Sequence, residues 1–279
     1  MFLLSIILTV LYINLSQRLA LLGYTAKKSL YTCMGSRTGM ANEKEGIKLT
    51  KKPKGVTVIE GFPGFGLVST ITTGFLIDHL KCEKIGSYFF EDPPAMVAIH
   101  GCKVVDPIGI FYNKQYNIVI IHAISSATGL EWRAADLVLD LCKQLEAKEL
   151  ITIEGVGSQE IGKEPKSFYF THDSKTAKII EKLGYKCIGE GIIIGVTSAL
   201  LLKSDVPVTS FFAETASKMP DSKAAAKIIE TIDKYLGLKV DYTPLLKQAQ
   251  EFEGKLKGIL QQHAKAEELK QEKKFAYIG

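Results

Sequence analysis

The amino-acid sequence predicts an α/β domain built on a mixed β-sheet. Three observations predict it: β-branched runs precede segments with helical apolar spacing, several short apolar runs follow one another closely, and glycine-rich corners join strands to helices. Of the 279 residues, 46% are hydrophobic and 23% are charged. This composition is typical of a globular protein with one sizeable core.

We expect three parts: an N-terminal extension (1–46), an α/β domain (47–239) and a charged C-terminal helix with a tail (240–279). The extension begins with an apolar run that lacks a basic start and is short for a membrane span, although an anchor or signal stays open. Met40 opens a stretch typical of a cytosolic N-terminus. We therefore expect an upstream-start artefact or a disordered extension, a cytoplasmic protein and no membrane partner.

Charge and cysteine usage exclude some classes of protein. The net charge is +5, but the lysines are spread along the chain, so nucleic acid is not an expected partner. The five cysteines are scattered without a C-x-x-C pair. This pattern favours a reducing compartment over disulfides or a metal site.

The first unit of the domain is the segment VTVIEGFPGFGLVSTITTGFLIDHL at residues 56–80. Val56, Val58 and Ile59 predict a buried strand that ends at Glu60. The glycines of GFPGFG permit positive φ, and apolar residues then recur at three- and four-residue spacing. The segment therefore predicts a strand, a tight corner and a helix that lies on the sheet.

Two interpretations of this glycine corner stay open. Free N–H groups at a helix N-terminus can bind an anion, which makes Gly61, Gly64 and Gly66 a possible ligand loop. A P-loop would need a lysine where Leu67 stands, and the dinucleotide fingerprint is incomplete, although Glu91 could serve as its ribose-binding acid. The alternative is a purely architectural corner.

The following runs predict the rest of the sheet. Residues 84–90, 96–100, 108–112 and 117–122 predict closely spaced strands that pair antiparallel within it. A helix with Trp132 among its inward residues comes next.

The second half of the domain alternates strands and helices. Residues 150–153 predict a strand closed by a second glycine corner at Gly155 and Gly157, which could also line a ligand cleft. Asp173 is the expected N-cap of a helix. Residues 192–194 predict a buried run that leads into a helix ending near Lys203.

The last elements are a strand, a helix and the charged extension. The strand at residues 206–212 is expected at a sheet edge because it contains Pro207. A helix with an apolar face follows at residues 221–236. Residues 242–274 carry a sparse heptad stripe, which is typical of a helix that packs on another helix or of a solvated surface helix.

No motif commits the chain to catalysis. The five histidines lack metal-ligand spacing, and we expect each at the surface or at a strand end. Ser125, Ser126, His122 and Glu154 could form a nucleophile–base set, but no G-x-S-x-G elbow presents a serine. We therefore expect no catalytic residue, no metal and no cofactor, and we predict that the protein is not an enzyme.

Four segments together resemble the archaeal proteasome assembly chaperone family: GFPGFG at residues 61–66, EDPPAMVAIHG at 91–101, the glycine corner after LITIEG at 150–155, and GIIIGVTSALLL at 191–202. The resemblance implies a three-layer α/β/α sandwich of the phosphorylase/hydrolase-like type, without established catalytic residues. It also implies a homo-oligomer, such as a tetramer, that binds proteasome α subunits or the core particle.

The resemblance also assigns a role to the C-terminal tail. In that family the tail often ends in a hydrophobic residue, a tyrosine and one further residue, which insert between α subunits. Here the tyrosine is third from the end rather than second. The expected partner-binding residues are Phe275, Ala276, Tyr277, Ile278 and Gly279.

Two functions are therefore considered. The first is a chaperone or adaptor for proteasome assembly that self-associates and docks through its tail. The alternative is a small-molecule enzyme or nucleotide-binding protein that uses the Gly61–Gly66 corner and the cleft near Gly155 and Gly157. Fold alone does not decide between them.

Overall fold

The computed structural model describes residues 47–90, 98–100, 102–125, 127–157, 164–215 and 219–247. The strands in these residues are β1 (Lys48–Leu49), β2 (Thr57–Gly61), β3 (Glu83–Tyr88), β4 (Ala98–His100), β5 (Lys103–Val105), β6 (Ile108–Asn113), β7 (Ile118–Ala123), β8 (Glu149–Gly157), β9 (Ser167–Thr171), β10 (Lys186–Cys187) and β11 (Val208–Thr215). The helices are α1 (Val68–His79), α2 (Glu131–Gln144), α3 (Ser174–Lys182), α4 (Val196–Lys203) and α5 (Ser222–Leu236).

Nine of these strands form one mixed sheet in the order β1-β3-β6-β7-β2-β8-β11-β9-β10. The four central strands, β7, β2, β8 and β11, are parallel to one another. β6 and β3 continue the sheet with antiparallel pairing on one side, and β9 pairs antiparallel with β11 on the other. The mixed sheet predicted from the closely spaced runs is confirmed.

Helices cover the sheet on both faces. α1, α3 and α5 pack with Ile59 and Ile120 in one apolar cluster, whereas α2 and α4 pack with Val58 and Val119 in the other. Successive strand residues point to opposite faces, and both are buried here because each face carries helices. The expected three-layer α/β/α sandwich is confirmed.

The helix ends follow the local sequence. The carboxylate of Asp173 accepts a hydrogen bond of 2.9 Å from Thr176 N at the start of α3. Asp221 does the same for Ala224 N, also at 2.9 Å, at the start of α5. Gly237 ends α5 with a φ of 67°, a conformation that glycine adopts without strain. Both N-caps thus satisfy backbone donors that would otherwise be free.

The edge position predicted for the strand at residues 206–212 is wrong. β11 lies inside the sheet, between β8 and β9. Pro207 precedes the strand, and its carbonyl oxygen accepts a hydrogen bond of 2.9 Å from Leu150 N. Because the proline contributes only its carbonyl, its missing N–H costs the ladder nothing.

Two other strand predictions also need correction. The run at residues 96–100 contributes β4, which pairs with β5 in a separate two-stranded hairpin and not in the main sheet. Gly155 and Gly157 do not form a corner, because β8 continues through both and pairs with β11 as far as Thr215.

After α5 the chain packs again on the α/β domain. Leu238, Val240 and Leu245 are buried in the cluster beneath α1 and α5. The remainder of the predicted C-terminal helix and the whole N-terminal extension lie outside the described residues. Within the described ranges, no helix combines the length and apolar character needed to cross a membrane.

Candidate functional site

The carboxyl ends of β7, β2, β8 and β11 meet at one edge of the sheet, as their parallel pairing requires. This edge is where parallel α/β sheets usually bind their ligands. The GFPGFG corner follows β2 there, and a 3₁₀ turn at Phe65–Leu67 leads it into α1. The predicted corner is confirmed, and it is the natural place to look for a site.

The glycines of this corner are explained by close packing. A Cβ on Gly61 would lie 2.4 Å from Thr73 Oγ1, and one on Gly64 would lie 1.9 Å from Glu154 Oε1. Gly66 has a φ of 64°, in the left-handed region that favours glycine. The protein's own atoms therefore fill the space that these glycines leave.

The second glycine pair supports the same corner from β8. A Cβ on Gly155 would lie 2.1 Å from the carbonyl oxygen of Phe65, and a Cβ on Gly157 would lie 3.6 Å from the Phe65 ring. The five glycines of the predicted ligand loop thus lie together, as the sequence suggested. Their contacts within the protein favour the architectural interpretation.

Two glutamates use the N–H groups that an anion would need. Phe62 N donates to Glu60 Oε2 at 3.1 Å, and Phe65 N donates to Glu154 Oε1 at 3.1 Å. The hydroxyl of Thr197, in the first turn of α4, donates to Glu60 Oε1 at 3.1 Å. The corner therefore binds internal carboxyl groups, which occupy two of the backbone N–H groups that a phosphate would use.

Both carboxyl groups hold their protons unusually tightly. Burial raises the pKa of Glu60 to about 7. Burial, followed by the nearby charge of Glu60, raises the pKa of Glu154 to about 8. Desolvation penalises the charged form of a carboxyl group, and ionisation of one carboxyl group raises the free energy of ionising a second one nearby. Near neutral pH the pair carries at least one proton.

A pocket of about 60 Å³ opens above the two glutamates. It is lined by Glu60, Phe62, Pro63, Gly64, Ala127, Thr128, Glu131, Glu154, Ile194, Gly195, Val196 and Thr197. This volume is far below the roughly 300–1,000 Å³ of typical small-molecule sites, and the lining contains three acids but no lysine or arginine. The pocket therefore gives no support to nucleotide binding.

His122 lies on the opposite face of the sheet from this pocket. Its Nδ1 is 2.9 Å from Thr73 Oγ1 in α1, its Nε2 is buried without a hydrogen-bond partner, and burial lowers its pKa to about 4. His122 is the second-last residue of β7, as expected of a strand-end histidine, and its side chain is buried, with 5% exposed.

His122 and Glu154, two members of the nucleophile–base set considered above, lie on opposite faces of the sheet. His122 faces α1, whereas Glu154 contacts Gly64 and faces the pocket on the α4 side. Ser126 lies outside the described residues. In the described part of the chain, no group of three or more histidine, cysteine, aspartate or glutamate residues could hold a metal ion.

Four large apolar side chains of α2, of α4 and of the segment before α4 remain exposed, and we call them the α2/α4 patch. They are Trp132 (55% exposed), Ile192 (89%), Ile194 (79%) and Leu202 (76%). The prediction that Trp132 faces inward and that residues 192–194 are buried is wrong. Apolar runs predict burial, but on this face the two helices leave these side chains uncovered.

Contacts on this face connect Ile194 to the pocket and α4 to Trp132. Ile194 and Glu131, the neighbour of Trp132, both line the pocket. Lys203, which follows Leu202 in α4, places its Nζ 5.7 Å from the centre of the Trp132 ring and forms an ion pair with Asp136. Exposed apolar patches of this kind mark interaction surfaces more often than catalytic ones.

The glutamate pair was missed by the sequence analysis, although the sequence contains a signal for it. Both strands contain the same tripeptide near their carboxyl ends, Ile59-Glu60-Gly61 in β2 and Ile153-Glu154-Gly155 in β8. The repeat places a carboxyl group at the same end of two neighbouring parallel strands. The other predicted site residues, Phe275, Ala276, Tyr277, Ile278 and Gly279, and the acid Glu91, lie outside the described residues.

Comparisons with known proteins agree with the resemblance found in the sequence. A model of the PAC2 family matches residues 58–260. An uncharacterised protein of Methanocaldococcus jannaschii is 25% identical over 211 residues, which cover 75% of this chain and 87% of that protein.

Two solved structures from Pyrococcus furiosus have the same fold. PbaA, described as an archaeal homologue of proteasome-assembly chaperone, is 28% identical, with a TM-score of 0.71, over 84% of this chain and 98% of its own. PbaB, described as an archaeal proteasome activator, is 22% identical, with a TM-score of 0.66, over 76% of this chain and 97% of its own.

Proposed function

Because the chain belongs to the PAC2 family, we propose that it is a cytoplasmic proteasome assembly chaperone or adaptor of archaeal type. It self-associates, binds proteasome α subunits and catalyses no reaction. The likeness to PbaA, at 28% identity over nearly the whole of that chain, supports this choice. The fold itself is shared with many enzymes, so the choice depends on the surface and the site.

The observation that carries the proposal is the α2/α4 patch. Trp132, Ile192, Ile194 and Leu202 expose apolar surface, and Ile194 lines the pocket at the edge of the sheet that enzymes of this architecture use for ligands. The pocket there is small and acidic, and its backbone donors are occupied by Glu60 and Glu154. An exposed apolar patch beside a pocket too small for a typical metabolite suits protein binding better than catalysis on a metabolite.

The C-terminal tail is the second proposed contact with α subunits. Residues 275–279 include the aromatic side chains of Phe275 and Tyr277 and the aliphatic side chain of Ile278, and a tyrosine loses little conformational entropy when it binds in a groove. In this proposal Tyr277 enters a groove between α subunits.

Native mass spectrometry of the full chain with a cognate proteasome α subunit tests the proposal. We expect a complex that weakens at least tenfold when residues 275–279 are deleted. The matched control replaces Lys273 and Lys274 by alanine, which keeps the tail but removes two nearby charges, and this variant should bind nearly as well as the full chain. Absence of any complex with the full chain would overturn the proposal and leave the pocket as the place to search for a ligand.

A further inference from the structure

The Glu60–Glu154 pair connects elements that the sheet alone does not hold together. Each carboxyl oxygen of Glu60 accepts a hydrogen bond of 3.1 Å, Oε2 from Phe62 N and Oε1 from the Thr197 hydroxyl. Glu154 Oε1 accepts a hydrogen bond of 3.1 Å from Phe65 N. Through these bonds the pair joins β2 and β8 to the glycine corner and to the first turn of α4.

The two carboxyl groups differ in their access to water. Both line the pocket, but Glu60 is 1% exposed, whereas Glu154 is half-buried. The hydrogen bonds to both oxygens of Glu60 favour its ionised form. Glu154 has the higher pKa of the two, about 8 against about 7. The last proton of the pair is therefore on Glu154, which can release it to water in the pocket.

The charged groups around the pair do not compensate the loss of that proton. The described lining of the pocket contains no lysine, arginine or histidine, and its third titratable group, Glu131 of α2, is also an acid. Glu214 of β11 lies on the same face of the sheet and adds a fourth. Arg133 of α2 and Lys203 of α4 contact partners outside the pocket. The glycine corner and the first turn of α4 contribute no titratable side chain.

Ionisation of both carboxyl groups would place two unbalanced negative charges in one buried site, which is strongly unfavourable. Glu60 is enclosed, but Glu154 can turn into the pocket, whose volume of about 60 Å³ exceeds the ~10–15 Å³ that one water needs. This rotation breaks the hydrogen bond from Phe65 N. It also vacates the space beside Gly64, where a Cβ would lie 1.9 Å from Glu154 Oε1.

We propose that the Glu60–Glu154 pair is a proton-operated latch on the glycine corner. While the pair holds a proton, Glu154 stays against the corner and accepts the hydrogen bond from Phe65 N. When the O–H bond of the Glu154 carboxyl group breaks, the electron pair stays on the carboxylate and the proton passes to water in the pocket. The carboxylate then turns into the pocket, and Phe65 N loses its acceptor.

The released state changes the surface that is proposed to bind α subunits. Ile194 of the α2/α4 patch lines the same pocket, so the Glu154 carboxylate then lies beside an apolar side chain of the patch. A partner that covers the patch must desolvate this charge. We expect the affinity for an α subunit to fall about tenfold between pH 7 and 8.5, as linkage to one proton permits. This consequence rests on the proposed function, whereas the latch itself does not.

Amide hydrogen exchange of the full chain, followed by NMR and corrected for intrinsic exchange rates, tests the latch. Between pH 6.5 and 8.5 the Phe65 amide should lose about tenfold in protection, while the Phe62 amide, which is bonded to Glu60, stays protected. Glu154→Gln keeps an acceptor for Phe65 N but has no proton to lose, so protection should be equal at both pH values. The matched control is Glu131→Gln, which removes an acid of the same pocket and should keep the wild-type profile.

A second variant should force the released state without a change of pH. Gly64 has a φ of −128°, which alanine adopts without strain, and the added Cβ would occupy the place of Glu154 Oε1. Because that carboxyl group ends a flexible side chain, it should turn into the pocket. In Gly64→Ala the Phe65 amide should therefore be unprotected already at pH 6.5. Gly157→Ala, whose Cβ would make an ordinary contact at 3.6 Å, is the control.

Three results would overturn the latch. They are equal protection of the wild-type Phe65 amide at both pH values, joint loss of protection at Phe62 and Phe65, which would indicate general opening of the corner, and a protected Phe65 amide in Gly64→Ala. Protection of amides in the central strands shows that each variant is folded.

Calorimetric titration with a cognate α subunit at pH 7 and 8.5 tests the consequence for binding. The affinity should fall with pH for the wild-type chain and stay constant for Glu154→Gln. An equal fall in both would overturn the link between latch and patch. Absence of any complex would overturn the proposed function alone, because the exchange measurements test the latch in the chain without a partner.

Discussion

The two faces of the central sheet are buried in different ways. On the α1/α5 face, three helices and the returning chain at Val240 and Leu245 close an apolar cluster, and the buried polar group His122 is neutral. On the α2/α4 face, the helices bury two carboxyl groups beneath a small pocket and leave Trp132 and Leu202 in water. The first face is a core, whereas the second combines a core with exposed apolar side chains.

The largest expected effect concerns Glu60 and Glu154. Their pKa values are raised in the folded chain, so the folded state binds more protons than the unfolded state, and stability should fall as pH rises from about 5 through 8. Over that window we expect a loss on the order of 4 kcal/mol. Urea unfolding of Glu154→Gln at pH 5.5, 7 and 8.5 should show a much flatter profile, with the variant more stable than wild type at pH 8.5. A wild-type stability that rises from pH 7 to 8.5 would contradict the buried pair.

The glycine packing at the corner gives the next largest effect. Gly155→Ala would place a Cβ 2.1 Å from the Phe65 carbonyl oxygen, and because this is a backbone atom the corner must shift. We expect a loss of about 3 kcal/mol in the free energy of unfolding. Gly189→Ala is the control, since no atom lies within 4 Å of the added Cβ. Equal stabilities of the two variants would show that the corner is loosely packed.

On the opposite face, His122 should produce a pH dependence of opposite sign. Its pKa is lowered to about 4 in the folded chain, so the unfolded state binds more protons and stability falls as pH drops from about 6.5 towards 4. His122→Leu should remove about 2 kcal/mol of acid destabilisation between pH 7 and 5. The measurement is the difference in urea midpoint between variant and wild type at the two pH values. If the difference is the same at both pH values, His122 binds a proton as readily in the folded chain as in the unfolded chain.

The smallest expected effect distinguishes exposed from buried residues of α2. Trp132→Gln should change the stability of the dilute monomer by less than about 1 kcal/mol, because it loses only an exposed cation–π contact with Lys203. Leu141→Ala, at a residue that is 1% exposed in the same helix, should cost roughly 2–5 kcal/mol. The stabilities of the two variants are compared by thermal and urea unfolding at a protein concentration too low for self-association. Similar losses for both would place Trp132 in the core.

Sequence patterns predicted the elements well where a local signal decides the structure. The aspartate caps and apolar spacing located α3 and α5, and the glycine corner located the start of α1. Position within the sheet was less predictable, since Pro207 indicates an edge only when it lies inside a strand, and here it lies one residue before β11.

The sequence also does not show whether an apolar residue lies in the core of the chain or on its surface. Residues 192–194 and Trp132 are as apolar as core residues, and only the absence of an element above them distinguishes a surface from a core. The glutamate pair depended on strand order, because the two Ile-Glu-Gly tripeptides meet only if β2 and β8 are neighbours. Long-range pairing of this kind is not encoded by local periodicity.

Hydrogen–deuterium exchange of the full chain tests most directly the claim that the α2/α4 face is the interacting one. Uptake in α2 and in α4 should fall as protein concentration rises, while uptake in α1 and α5 stays constant. Added α subunit should then protect residues 275–279. Protection of α1 and α5, with an unchanged α2/α4 face, would contradict the account, because it would place the interface on the face that the structure shows as closed.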